Sequence, residues 1–291
     1  MAFKKIVIAI DFAHPNGPVL KNMGQTLKTM FSEQEIARAK VVSMMNWGEY
    51  AFDGNPAPKI KKEVLADIKA KLEIAGKTLG LGLKPTLIEH KGRTTKSNVT
   101  ELVKYLVKSK ADLIVAGTKN KKGLGTYFFG SFVEELSFQV PCALLTVHPE
   151  TKVKKKKAHY FLTHDLREDY KTGLARLLKL AKPATSATIY HHFEMGISKR
   201  SPEYVKELLN EKNERAHFIQ DALVKKGMSV DICIDTETGN TYQHILKNAE
   251  EVGATHLVTT AKTEKLGNFF IGSTARKLLK TSKIPVLIIH G

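Results

Sequence analysis

The chain contains one short pattern twice, and the second copy begins 142 residues after the first. Residues 123–131 read GLGTYFFGS and residues 265–273 read KLGNFFIGS. Each copy follows an apolar run and precedes a helix-like stretch. Each half then closes with a proline and a short apolar segment, at 141–147 and 285–289. This repeat is far longer than the units of a solenoid. The sequence therefore predicts two copies of a whole domain.

The order of strand and helix signals is the same in both halves. Residues 6–10 are continuously apolar, as expected of a strand buried on both faces, and helical spacing follows at 19–31. Such alternation predicts an α/β fold with two tandem doubly wound domains, each a five-stranded parallel sheet flanked by helices. We predict the first domain at residues 1–149, a basic linker at 150–157 and the second domain at 158–291.

Both halves supply a complete set of elements. The predicted strands are 6–10, 41–45, 86–89, 113–116 and 143–147, then 159–163, 187–192, 229–234, 255–258 and 286–289. The predicted helices are 19–31, 60–77, 99–107 and 132–138, then 170–180, 202–225, 242–251 and 274–281. In open parallel sheets of this kind, ligands bind beyond the carboxyl ends of the strands, where the strand order reverses.

The charge balance raises the question of a polyanionic partner. The formal net charge is +17 and the pI is about 9.6. Lysines are scattered along the chain, with clusters only at 119–122 and 152–157, and no nucleic-acid module or interleaved aromatic pattern accompanies them. Solvated helix faces and a charged linker are therefore favoured over a nucleic-acid partner. No apolar run reaches the ~18 residues that a bilayer requires, so we expect a cytoplasmic protein without a membrane partner.

Candidate binding residues fall at one predicted rim. Asp11 and Asp165 follow the first strand of each half, and the glycine-rich segments follow the fourth. Gly130-Ser131 and Gly272-Ser273 stand where a helix begins, and the free N–H groups of a helix start favour phosphate. Ordinary helix capping is the alternative for these serines, and turn formation is the alternative for the aspartates.

With these motifs the chain resembles the universal stress protein family, as a tandem member with two such domains. The nucleotide-binding members of that family carry a loop of the form Gly, two residues, Gly, nine residues, Gly, then Ser or Thr. The matching positions are Gly117, Asn120, Gly130 and Ser131 in the first half, and Thr259, Lys262, Gly272 and Ser273 in the second. Three of the four positions match in the first half and two in the second. Asn120 is the informative departure, since asparagine accepts positive φ but adds bulk.

The resemblance implies the family's adenine nucleotide alpha hydrolase-like fold, ATP with Mg²⁺ as the ligand, and a role in stress survival. It places Asp11 and Asp165 near the adenine and ribose, and Met44 and His192 in contact with adenine. An exposed histidine at a strand end is the alternative for His192. We predict no metal site at His191 and His192, because no Glu or Cys stands at ligand spacing. Cys142 and Cys233 are predicted to be buried apolar residues rather than a disulfide or metal pair.

No catalytic set emerges from the sequence. It lacks a nucleophile-elbow serine, a His-Glu-x-x-His motif and a complete Walker motif. We therefore predict a non-catalytic adenine-nucleotide sensor, with weak ATP hydrolysis left open. The alternative is a nucleotide-free protein-interaction module with degenerate loops and no cofactor. In that case residues 127–129 and 269–271 would form contact or packing surfaces, and a protein partner or a homodimer would follow.

Overall fold

The computed structural model describes residues 3–15, 17–51, 54–118, 131–153, 157–166, 178, 185–193, 201–263 and 269–290. The chain divides into two compact units, Phe3–Val153 and Lys154–Gly291. Each unit is an α/β structure with a parallel sheet, as the sequence predicts. The finer domain boundaries at 149 and 157 stay predictions.

The first unit alternates strands and helices. Its elements are β1 (Ile6–Ala9), α1 (Pro18–Met30), α2 (Glu33–Ala37), β2 (Lys40–Asn46), a 3₁₀ turn (Trp47–Glu49), α3 (Pro58–Leu79), β3 (Pro85–His90), α4 (Thr95–Ser109), β4 (Leu113–Gly117), α5 (Ser131–Gln139) and β5 (Ala143–Val147). The strands lie in the order β3-β2-β1-β4-β5 and all their pairings are parallel. The order reverses between β1 and β4, which places the switch point at these two strands.

Continuous apolar runs form the central strands of the first unit. Leu113, Ile114 and Val115 of β4 are each 0% exposed, because helices cover both faces of a parallel sheet. Local capping fixes the helix starts around them. In α4, Thr94 and Ser97 exchange side-chain-to-backbone hydrogen bonds in a capping box. Burial thus sets the strands, and capping sets where the covering helices begin.

The second unit repeats this order. Its described elements are β6 (His159–Thr163), β7 (Ser186–His192), α6 (Pro202–Val224), β8 (Ser229–Asp235), α7 (Thr241–Glu251), β9 (His256–Thr263), β10 (Phe269–Phe270), α8 (Ser273–Thr281) and β11 (Val286–His290). Within this unit the parallel strands run β11-β9-β6-β7-β8, with the switch point between β6 and β9. The helix predicted at 170–180 falls almost wholly outside the described residues.

Strand β9 corrects the sequence prediction, which ended this strand at residue 258. It continues to Thr263, and β10 pairs with its end in antiparallel register, Phe269 opposite Thr263 and Phe270 opposite Lys262. Thr259 is paired on both sides, with Ile288 and with Thr163. β-Branched threonines favour extended backbone at the position where glycine would favour a turn. Residues 259 and 262 are therefore strand residues and not loop residues.

Across the part of the chain that the structure describes, no helix has the length and apolar character needed to cross a bilayer. Cys142 is buried, Cys233 is half-buried, and both are free thiols. Burial raises the pKa of Cys233, which keeps it in the unreactive thiol form. The predicted burial is therefore confirmed for Cys142, whereas Cys233 is only half-buried.

Candidate functional site

The rim of the first unit forms where β1, β2 and β4 end. Ala9 lies opposite Val42 of β2 and Ala116 of β4. If this register is extended by two residues beyond β1, Asp11 falls opposite Met44 on one side and Thr118 on the other. Neighbouring strands are about 4.8 Å apart, so these positions belong to one small area at the switch point. The predicted site residues Asp11 and Met44 are thus expected at neighbouring positions of this rim.

Asp11 has local partners at this rim. Its Oδ1 accepts a hydrogen bond from the backbone N–H of Ala13 at 2.9 Å, and its Oδ2 lies 3.1 Å from Nδ1 of His14. The carboxylate is 38% exposed. These contacts are those of a turn-capping aspartate. The turn therefore orients the carboxylate, and Met44 at the end of β2 is half-buried.

Gly117 has a packing reason to be glycine. A Cβ at this position would lie 2.5 Å from Cγ2 of Val19 and 3.3 Å from the sulfur of Met23, both on α1. The absent side chain therefore lets α1 approach the end of β4. The family resemblance places Gly117 in a nucleotide loop, and the structure adds close helix packing as a second reason for a glycine here.

Of the remaining loop positions of the first half, only Ser131 belongs to the described residues. Asn120 and Gly130 lie outside the described residues. Ser131 is the first residue of α5, so the predicted helix start after Gly130 is confirmed at the level of the backbone. The roles of these three residues in binding stay predictions.

The rim of the second unit is built in the same register. Thr163 lies opposite Tyr190 of β7 and Thr259 of β9, which brings Asp165 level with His192. Asp165 is 41% exposed, and its Oδ1 lies 3.9 Å from Nδ1 of His164. The placement of Asp165 and His192 at corresponding rim positions therefore matches that of Asp11 and Met44.

Two basic side chains of α6, Lys212 and Arg215, bind the backbone of the segment that follows β6. Leu166 has a φ of 48°, and its carbonyl oxygen accepts hydrogen bonds from Nζ of Lys212 and Nη1 of Arg215, each at 2.8 Å. The carbonyl of His164 accepts a further bond from Nδ1 of His191 at 2.8 Å. Burial of His191 lowers its pKa, so this imidazole stays neutral near pH 7. These contacts fix the backbone around Asp165.

The helix start at Gly272 is open. No atom outside its chain neighbours lies within 4 Å of a Cβ built on Gly272, and no side chain caps α8. Ser273 is exposed at the first position of the helix. The start of α8 is therefore not covered by a side chain. The loop positions 259 and 262 of the family motif, however, lie in the extended strand β9 and not in a turn. Ile271 beside the helix start is 0% exposed, so it is not an external contact.

His192 is a buried residue at the end of β7. It is 8% exposed; its Nε2 donates to the carbonyl of Glu237 at 2.9 Å, and its Nδ1 lies 2.9 Å from Oγ1 of Thr241. Its ring stacks on His244 with centroids 4.5 Å apart and an interplanar angle of 23°. The alternative of an exposed strand-end histidine is therefore wrong, because side chains from β8 and α7 enclose the ring.

His192, Asp235 and His244 form a cluster that the sequence did not reveal. Asp235 lies directly opposite His192 in the β7–β8 register. Nδ1 of His244 donates to Oδ2 of Asp235 at 3.0 Å, and the hydroxyl of Tyr190 donates to the same oxygen at 2.5 Å. One potential ligand atom from each member of the cluster lies within 4.8 Å of the others. The prediction of no metal site at His191 and His192 rests on local spacing, whereas the partners of His192 come from a neighbouring strand and a helix.

The charge state of the cluster follows from its contacts. Burial opposes ionisation of Asp235, but hydrogen bonds from Tyr190, the N–H of Glu237 and His244 outweigh it and hold the pKa of Asp235 below its ordinary value. Burial, followed by the bond to Asp235, raises the pKa of Tyr190, which keeps this hydroxyl a donor. The cluster thus holds a carboxylate among two imidazoles and a neutral phenol.

The family comparison covers both units. The model described as the universal stress protein family matches residues 2–148 and 165–290. The chain belongs to the universal stress protein family. No match was found among curated proteins.

Solved universal stress proteins share this fold. One from Archaeoglobus fulgidus DSM 4304 is 16% identical, with a TM-score of 0.65 over 100% of this chain and 99% of that chain. A functionally unknown protein from Pseudomonas aeruginosa PAO1 is 13% identical, with a TM-score of 0.58 over 99% of this chain and 93% of its own. An Archaeoglobus fulgidus universal stress protein in complex with dAMP is 17% identical, covering 45% of this chain and 97% of its own, with a TM-score of 0.36.

The two universal stress protein units of this chain differ at their rims. The first keeps Gly117 at the end of β4, whereas the second runs on as strand through Thr259 and Lys262. Met44 is half-buried in the first, and the corresponding His192 is bonded into a cluster in the second. The duplicated fold therefore carries two chemically distinct rims.

Proposed function

We propose that this universal stress protein is a non-catalytic regulator in the cytoplasmic stress response that binds an adenine nucleotide through its first unit. The observation that carries the proposal is the rim at the β1–β4 switch point. There the register of β1 and β2, extended past Ala9 and Val42, puts Asp11 opposite Met44; β4 ends at Gly117, and the next described element begins at Ser131. Open α/β sheets bind ligands at this place.

The residues of the first rim suit the parts of ATP differently. The half-buried Met44 offers an apolar contact to adenine, and the partly exposed carboxylate of Asp11 can accept from ribose hydroxyls or hold Mg²⁺. The helix start at Ser131 would receive phosphate on its free N–H groups. Gly117, Asn120 and Gly130 would shape the loop between them. In the second unit only Asp165, Gly272 and Ser273 remain for such a role.

A nucleotide-free interaction module is the second candidate, and three observations favour it. Gly117 is explained by packing against Val19, and the carboxylate of Asp11 is engaged by its own turn. In the second unit β9 and β10 replace the loop by paired strands. If both rims have lost nucleotide binding, the family fold would serve contacts with a protein partner alone.

Identification of the nucleotide that copurifies with the protein distinguishes between the two proposed functions. The full chain is purified without added nucleotide, denatured by heat, and the released nucleotides are identified by chromatography. We expect ATP or a related adenine nucleotide, and turnover too slow to measure in the same preparation. Absence of nucleotide, together with no heat of ATP binding in isothermal titration calorimetry, would support the interaction module.

A matched pair of variants assigns the site to one unit. Gly130→Val places bulk at the phosphate position of the first unit, and Gly272→Val does the same at the open helix start of the second. We expect the first variant to abolish ATP binding and the second to leave it at the wild-type level. Equal affinity in wild type and Gly130→Val would remove the first-unit site from consideration.

A further inference from the structure

We propose that His192, Asp235 and His244 bind a divalent transition-metal ion of the Zn²⁺ class at the rim of the second unit. This proposal does not rest on nucleotide binding, since the three residues lie on β7, β8 and α7 and take no part in the first rim. The cluster is the one group of potential metal ligands that the described parts of the chain bring together.

The donor atoms are already close to a coordinating arrangement. In a tetrahedral site with metal–ligand bonds of about 2.0–2.1 Å, neighbouring donor atoms are about 3.3 Å apart. Nδ1 of His244 and Oδ2 of Asp235 are 3.0 Å apart, and the potential ligand atoms of the whole group lie within 4.8 Å. To complete the set, the His192 ring would move closer to the other two ligands and rotate out of its stack on His244, so that both Nδ1 lone pairs point at the ion.

Hydrogen bonds from neighbouring groups orient two of the three proposed ligands, His192 and Asp235, in the way that metal sites require. Metal-binding histidines usually donate their second ring N–H to a carbonyl or carboxylate, which fixes the tautomer. His192 does so, because its Nε2 donates to the carbonyl of Glu237. That leaves Nδ1 with its lone pair, now facing the hydroxyl of Thr241, which would turn aside for the metal. Asp235 is held in turn by the hydroxyl of Tyr190 and the N–H of Glu237.

His244 would have to change its tautomer to bind the metal through Nδ1. Its Nδ1 now carries the proton donated to Asp235, so binding through Nδ1 moves that proton to Nε2. Gly239 leaves room beside this nitrogen, because a Cβ there would lie 2.4 Å from Nε2. The residue at 239 has a φ of 152°, which also favours glycine. The backbone is thus shaped around the His244 ring.

A fourth coordination position is open to Glu237 or water. The carboxylate of Glu237 is 70% exposed, and its Oε2 is already 3.9 Å from Nδ1 of His244. Two imidazoles and a carboxylate suit Zn²⁺, Co²⁺ or Fe²⁺, whereas Mg²⁺ prefers oxygen ligands throughout. The donor set therefore selects a transition metal and is chemically distinct from any Mg²⁺ brought by ATP.

Metal titration of the full chain tests this site. Protein stripped with a chelator and dialysed is titrated with Zn²⁺ by calorimetry, and with Co²⁺ by visible absorption, which reports coordination number. We expect one strong site per chain and a four-coordinate Co²⁺ spectrum. In Asp235→Asn and His244→Ala the Zn²⁺ affinity should fall by at least about 100-fold, more than the loss of an outer contact brings.

Matched variants keep the outcome interpretable. His217→Ala removes an exposed histidine whose Nδ1 pairs only with Gln220 among the described contacts, and its Zn²⁺ affinity should equal the wild type. Tyr190→Phe keeps all three ligands and removes one outer contact, so we expect a loss of about 10-fold or more even if a ligand variant fails to fold. Zn²⁺ affinity unchanged in Asp235→Asn or in Tyr190→Phe, or no strong site in the wild type, would overturn the proposal.

Discussion

Gly117 at the end of β4 packs against Val19 of α1 so closely that a Cβ on the glycine would lie 2.5 Å from Cγ2 of the valine. The contact ties the first helix to the rim where β1 and β4 diverge. A glycine that the family resemblance assigns to a nucleotide loop therefore also has a structural role, and the two roles can be separated by measurement.

Substitution of Gly117 by alanine should destabilise the first unit. The added methyl group overpacks the contact with α1, and overpacking typically costs about 1–3 kcal/mol. In the double variant Val19→Ala/Gly117→Ala the smaller partner should recover most of the loss. Urea unfolding of the wild type, both single variants and the double variant measures this coupling. Additive effects of the two substitutions would contradict the packing explanation.

The strands and the order of elements could be predicted from the sequence because a buried strand appears as a continuous run of apolar residues. Leu113, Ile114 and Val115 are apolar in a row since both faces of β4 are covered, and no distant information is needed. The end of β9 was missed because Thr259 matches a loop position of the repeat. Its β-branched side chain favours extended backbone, but its pairing with Thr163 and Ile288 depends on residues that are distant in the sequence.

The histidine cluster could not be predicted in the same way. His192 precedes Asp235 by 43 residues, and only the β7–β8 register places them side by side. His244 then reaches Asp235 because α7 begins just after β8. The polar residues that end β7 and β8 were a usable signal, since the ends of neighbouring parallel strands meet at one edge.

His256 should make the second unit sensitive to acid. It is 1% exposed, its Nε2 has no hydrogen-bond partner, and burial lowers its pKa to about 3. The unfolded chain takes up the proton at an ordinary pKa of about 6.5, so stability is full above that pH and falls below it. At pH 5 this residue should cost about 2 kcal/mol relative to pH 8.

The substitution His256→Gln isolates this effect, because glutamine stays neutral and polar at both values of pH. Urea unfolding at pH 8 and pH 5 should show a smaller loss of stability in the variant than in the wild type, by about 2 kcal/mol. The exposed His217→Gln serves as the control and should keep the wild-type dependence. A variant with the same dependence as the wild type would mean that His256 accepts its proton without unfolding.

Glycine at position 259 should weaken the second unit without creating a nucleotide site. Thr259 is a strand residue paired on both sides, and glycine in a strand costs about 1 kcal/mol through backbone entropy and lost packing. We expect Thr259→Gly to lower the unfolding free energy by that amount. In a Gly130→Val background, calorimetry should detect no ATP binding with or without Thr259→Gly. Any gain of ATP binding would show that β9 can give way to a loop.

Substitution of Asn120 by glycine in the first half should, in contrast, preserve stability and strengthen ATP binding. Asparagine adopts positive φ more readily than other side chains, so Asn120→Gly should leave the free energy of unfolding within about 1 kcal/mol of the wild type. The change removes side-chain bulk from the loop and exposes backbone N–H groups to phosphate, so ATP affinity should rise. Lys121 and Lys122 follow in the sequence and should add an attraction that weakens as salt is increased. Isothermal titration of ATP at low and high salt, with Lys262→Gly as the variant at the corresponding position of the second half, measures both effects. A folded Asn120→Gly protein that gives no heat of binding at either salt concentration would favour the interaction module over the nucleotide sensor.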